Sequence, residues 1–108
     1  MQYILVYITT KDRDEAERIA AAVVSEGLAA CANILDSMRS LYWWNGQMES
    51  ATETILLLKS ELDRFEALQK KVTQLHSYET PCIVALPIIA GSRAYLDWIS
   101  ASCKQNSN

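Results

Sequence analysis

Residues 29–59 read AACANILDSMRSLYWWNGQMESATETILLLK. Two strand-like runs, 29–43 and 47–59, flank Asn45 and Gly46. Both of these residues tolerate the positive φ that the central positions of a type I′ turn demand, so the runs are expected to pair as an antiparallel hairpin. Everything else in the chain arranges itself around that hairpin.

Upstream, residues 2–10 are almost continuously β-branched or aromatic, the pattern of a strand covered on both faces. Asp12 offers an N-cap oxygen and Glu15, three places on, completes a capping-box-like pair. Ala16, Ile19, Ala20, Val23 and Val24 then recur at helical spacing, and Gly27 supplies a left-handed stop. Downstream, Ser60 is the expected cap of a second helix with apolar positions Leu62, Phe65, Leu68, Val72 and Leu75. CIVALPI returns as a strand, and Gly91 and Ser92 lead into a third helix carrying Tyr95, Trp98 and Ile99. The order is βαββαβ plus one helix. It predicts an α+β, ferredoxin-like sandwich with an additional C-terminal helix, in a single domain over residues 1–103 followed by a polar tail, 104–108.

Arms of about 14 residues reach on the order of 45 Å at about 3.3 Å per residue, whereas helices of about 15 residues span about 22 Å. The hairpin therefore overhangs its helices, and its tip, SLYWWNGQM, places Leu41, Tyr42, Trp43, Trp44 and Met48 in water unless another surface covers them. The helix-free sheet face also needs a cover. A symmetric homo-oligomer whose arms embrace their neighbours meets both needs; the intramolecular alternative is a bulge that folds the arm back.

Half of the 108 residues are apolar and 21% are charged, with a net charge of −3 and the two signs interspersed. That balance gives no electrostatic footprint for nucleic acid or an anionic membrane. No stretch approaches the ~20 apolar residues of a membrane-spanning helix, and MQYILVYITT reads as a strand rather than a signal peptide. Cys31, Cys82 and Cys103 are an odd number without a dense spacing pattern, which suits reduced thiols and a cytoplasmic location.

His76 is the only histidine. It follows the last apolar residue of the second helix, where it is either a ligand or base, or a helix C-cap and interface hydrogen-bonding group. Glu79 and Cys82 are the nearest potential co-ligands, although His-x-x-Glu-x-x-Cys is not the spacing of a closed metal cage. Lys59 closes an apolar strand, so its ammonium needs a carboxylate or anionic ligand unless the side chain snorkels to the surface. Cys31, in an apolar strand, reads as an inert small hydrophobe. With no nucleophile elbow, phosphate loop, HExxH or CxxC, no enzyme is expected.

Taken together, GLAACANIL, SLYWWNGQ, ETILLLKS, HSYETP followed by IVALPI, and YLDW occur in the order and spacing of the CutA family of divalent-cation tolerance proteins. The chain resembles that family from Tyr3 to Trp98. The resemblance implies a tight homotrimer, similar in architecture to PII-type signalling proteins, with clefts between subunits lined by Cys31, Trp44, Glu53, Lys59, His76, Tyr78, Glu79, Tyr95 and Trp98. It also implies a divalent metal ion or a small anionic effector as the ligand. Two departures bear on this. Ser77 stands where the family usually has proline, and Cys82 stands where many members carry a carboxylate, so His76 with Cys82 would favour copper or zinc over magnesium or calcium.

Overall fold

A computed structural model describes residues 2–104. The elements run β1 (Tyr3–Thr10), α1 (Arg13–Ser25), β2 (Cys31–Trp44), β3 (Gln47–Glu61), α2 (Phe65–Leu75), β4 (Ile83–Ile88) and α3 (Arg93–Lys104). The four strands form one antiparallel sheet in the order β2-β3-β1-β4, the ferredoxin-like arrangement. α3 continues through Lys104, one residue into the expected tail; 105–108 lie outside the described residues.

Local chemistry sets the boundaries. The Asp12 side chain accepts the Glu15 N–H at 2.9 Å and starts α1. At the other end Gly27 adopts φ 72°, which lets the Leu28 and Gly27 amides turn back to the carbonyls of Val23 and Val24 and close the helix in a Schellman motif. Asn45 and Gly46, at φ 50° and 77°, form the predicted hairpin turn.

Ile4, Val6 and Ile8 of β1 and Leu56 and Leu58 of β3 point to one side of the sheet, where they pack with Ala16, Ile19 and Val23 of α1 and Leu68 and Val72 of α2. α3 instead packs Ile99 and Cys103 with Tyr3 and Ala30 in a second, smaller cluster. Glu61 is buried there because it is satisfied: Ser100 Oγ donates to Oε2 at 2.6 Å, Tyr3 Oη donates to Ser100 Oγ at 2.8 Å, and Arg64 Nε donates to Oε1 at 3.4 Å.

Three expectations change. Ser60 does not cap α2; it lies within β3, and its hydroxyl donates to the Leu28 carbonyl at 2.6 Å. One 3-10 turn, Leu62–Arg64, intervenes before α2, which leaves Leu62 49% exposed. The near-continuous apolar β1 has cover from the helices on only one face, so Val84 and Leu86 of β4 remain 48% and 47% exposed on the other.

A bulge falls between Leu35 and Met38, and Ser37 takes φ 62°. The bulge does not fold the arm onto its own subunit, since Leu41 is 71% and Trp43 69% exposed, and the molecule measures 45 × 27 × 22 Å. Its effect is on side-chain parity. Before it, Cys31, Asn33 and Leu35 pair with Lys59, Leu57 and Ile55; after it, Met38 pairs with Glu53. The extra residue hands the open face from the odd positions of β2 to the even ones.

Leu58→Ala should cost about 2–5 kcal/mol in urea unfolding, because its fully buried side chain leaves a cavity. Leu62→Ala should cost under about 1 kcal/mol. Equal losses would return Leu62 to the core.

Candidate functional site

Directly opposed residues of an antiparallel pair share a face, so Lys59 and Glu53, six places apart on β3, both lie on the open face. They are separated by about 20 Å at about 3.3 Å per residue. The residues singled out from the sequence accordingly fall into two groups.

The first surrounds Lys59. Its Nζ lies 3.1 Å from Asn33 Oδ1, 4.0 Å from Cys31 Sγ and 5.7 Å from the centre of the Tyr95 ring. The Tyr95 hydroxyl lies 3.8 Å from Cys31 Sγ, and the Tyr95 and Trp98 rings stack with centroids 5.4 Å apart. Among the described residues no carboxylate pairs with Lys59. Cys31 is half-buried in a polar, aromatic setting rather than sealed in the core.

The second group lines a cavity of about 700 Å³ between the arm and the turn preceding β4. Tyr7 and Thr9 of β1 form its floor. Met38, Ser40, Tyr42 and Trp44, the even positions released by the bulge, form one wall with Leu41 at its edge, and Tyr78, Glu79, Thr80 and Cys82 contribute the turn. Glu53 enters from β3, and Tyr78 Oη donates to its Oε2 at 2.8 Å. Burial, together with that hydrogen bond and the charge of Glu53, holds the Tyr78 phenol far above its ordinary range. Burial and the Glu53 charge also push the Cys82 thiol up, so it stays protonated at neutral pH.

His76 sits behind this cavity and does not line it. Its imidazole is fully buried, with Nε2 2.8 Å from the Thr9 carbonyl and Nδ1 3.1 Å from the Tyr78 amide nitrogen. A carbonyl only accepts and an amide N–H only donates, so the ring carries its proton on Nε2 and is neutral. Both nitrogens are occupied. A metal at either one would orphan a backbone group, which removes the basis for pairing His76 with Cys82 as metal ligands. His76 instead fastens two cavity-lining residues, Thr9 and Tyr78, to each other.

The group missed from the sequence is Glu15, fully buried beside His76. Its Oε1 accepts the Lys11 amide at 3.0 Å and its Oε2 the Ser77 amide at 2.8 Å, so the glutamate read as a capping-box partner of Asp12 also holds the turn after α2. Burial pushes the Glu15 carboxyl up, but the hydrogen bonds from Ser77 and Lys11 outweigh it and leave it below its ordinary value.

A divalent ion needs several converging donors. Among the described residues, no three His, Cys, Asp or Glu side chains are placed to hold one. No helix among them is long and apolar enough to cross a membrane.

An antiparallel ferredoxin-like domain with a projecting hairpin and an acidic, aromatic-lined cavity beneath it defines a small α+β protein that presents its polar groups on an open sheet face. The chain belongs to the CutA1 divalent ion tolerance protein family, whose profile matches residues 4–102. The divalent-cation tolerance protein CutA of Archaeoglobus fulgidus is 44% identical over 94 residues, covering 87% of this chain and 91% of the relative. The Thermus thermophilus protein of the same name is 44% identical over 95 residues, covering 88% and 92%. Among solved structures, CutA1 from Oryza sativa superposes with a TM-score of 0.94 at 35% identity, covering 97% of this chain and 96% of that one. The A. fulgidus structure, described as a periplasmic divalent cation tolerance protein, gives 0.92 at 40% identity, covering 94% and 99%.

The depressed Glu15 carboxyl contributes stability that is complete above its ordinary value of 4.5 and is lost as pH falls through the lowered folded value. Urea midpoints between pH 7 and pH 3 should therefore fall on the acid side. Glu15→Gln should be about 1–3 kcal/mol less stable at pH 7 and flatter below pH 4.5. An acid limb of undiminished slope in the variant would remove Glu15 from this role.

Proposed function

We propose that this protein acts in tolerance of divalent cations as a non-catalytic, cytoplasmic homotrimer with a PII-like architecture, its ligand clefts lying where the open sheet face of one subunit meets the arm of the next. The observation that carries this reading is the pair of apolar surfaces one subunit leaves uncovered, Val84 and Leu86 on the sheet and Leu41 and Trp43 on the arm. Surfaces of that kind are usually covered by a partner. The divalent-cation names of the relatives supply the ligand class, and the three free thiols suit a reducing compartment.

Copper or zinc fits the soft donor available, Cys82. A single subunit adds no complete donor set, so ion capture at the cavity calls on a neighbouring copy. Native mass spectrometry of metal-stripped protein should give a trimer that takes up Cu(II) or Zn(II), with uptake reduced in a Glu53→Gln, Cys82→Ser double variant. His76→Ala should lower stability while leaving ion stoichiometry unchanged. A monomer, or uptake indifferent to the double variant, would overturn the reading.

Lys59 favours a second reading. Its ammonium, without a carboxylate and beside the stacked Tyr95 and Trp98 rings, suits a small anionic effector. Thermal-shift measurements across nucleotides and small carboxylates should then find a stabilising ligand whose effect disappears in Lys59→Met. Silence across the whole set would count against an effector at Lys59.

A further inference from the structure

The cavity under the arm combines acidic groups with aromatic walls, and the divalent-ion reading uses only the acidic part. Two carboxylates, Glu53 and Glu79, line it, and no lysine, arginine or histidine does. Glu53 is only 9% exposed, yet among the described residues just one of its oxygens is engaged: Oε2 accepts from Tyr78, while Oε1 receives no hydrogen bond. Among the described residues no sealed side-chain oxygen lacks a partner, so Oε1 is reachable through the cavity. Around it stand the Trp44 and Tyr42 rings and the Met38 thioether.

This combination selects by charge and by size. An anion would meet two carboxylates and no compensating cation, so the cavity repels it. A bare metal ion would find no three donors placed to hold it among the described residues and would leave most of about 700 Å³ unused. An organic cation uses each part: its N–H groups donate to Glu53 Oε1, and its charge and carbon body lie against the aromatic faces and the thioether.

We infer that the cavity lined by Glu53, Glu79, Tyr42, Trp44, Tyr78 and Met38 is a binding site for an organic monocation, an alkylammonium or alkylguanidinium group with a short apolar chain. The inference rests on reading this cavity as the protein's ligand cleft and specifies what that cleft takes. Tyr78 has a part in it, because by holding Oε2 it aims Oε1 at the ligand.

Isothermal titration of the assembled protein with n-butylguanidinium, n-butylammonium, butanoate and Zn(II) tests it. The two cations should bind saturably, and butanoate should give no heat that Glu53→Gln alters, any uptake at Lys59 being independent of that variant. Glu53→Gln, which keeps the hydrogen bond to Tyr78, should weaken cation binding about tenfold or more, and Trp44→Leu, at a largely exposed position, should weaken it several-fold. Butanoate binding as tightly as the cations at a site that Glu53→Gln alters, or cation binding unaltered by Glu53→Gln, overturns the inference. Should the alkyl cations fail while Zn(II) titrates a site that Glu53→Gln removes, the inference falls and the ligand cleft stands. Should no ligand respond to Glu53→Gln, both fall.

Discussion

Side chains alternate along a strand with a period of two, so one inserted residue exchanges the two faces of everything beyond it. The candidate cavity depends on that constraint. Without the bulge at Asp36 and Ser37, β2 would present Leu41 and Trp43 to the open face, and Met38, Tyr42 and Trp44 would lie on the other side of the arm. The bulge is held by its own residues. Asp36 pairs with Arg13 of α1 and accepts from Thr54 Oγ1 at 3.4 Å, while Ser37 absorbs the left-handed turn. An exposed pair such as Arg13 with Asp36 adds little stability, and it lies where the register changes.

A second constraint links the helices to the cavity rim. The buried Glu15 carboxylate takes backbone N–H groups from both Lys11 and Ser77, and His76, wedged beside it, ties the Thr9 carbonyl to the Tyr78 amide. The start of α1, the end of β1 and the turn after α2 therefore share one polar knot. A buried ring with two saturated nitrogens holds geometry and has no lone pair left to coordinate an ion. Ser77 fits the same account, because its backbone N–H, which a proline would lack, supplies one of the two bonds that keep Glu15 ionised.

Most of the architecture is legible in local chemistry. Asn45 with Gly46, Gly27 after an amphipathic run, and Asp12 before one each act within a few residues, and each stands where its chemistry requires. What escapes such reading is decided at a distance. Ser60 is a plausible cap until Leu28, far away in sequence, offers its carbonyl to the hydroxyl. The bulge depends on Arg13 and Thr54, and Glu15 resembles an ordinary capping residue until Ser77 folds over it. Placing Lys59 and Glu53 on one face follows from alternation alone, and their separation of about 20 Å follows once both stand on one unbroken strand.

The same register sets what the open face offers along its length. One end of the open face offers an ammonium with no carboxylate, at Lys59, and the other offers a carboxylate with a free oxygen, at Glu53, about 20 Å away along β3 by the ~3.3 Å rise of a strand. Between them lie Leu5, Tyr7 and Leu57, a half-buried apolar strip continuous with the exposed Val84 and Leu86. Hydrophobic association across that strip would bury the apolar ground and leave the charged groups at its ends, where solvent and ligands still reach them. Polar chemistry at the edge of an apolar contact is the arrangement interfaces generally adopt. The apolar strip and the two polar groups are thus successive positions of the same paired strands, with the alternation of side chains setting what each position offers.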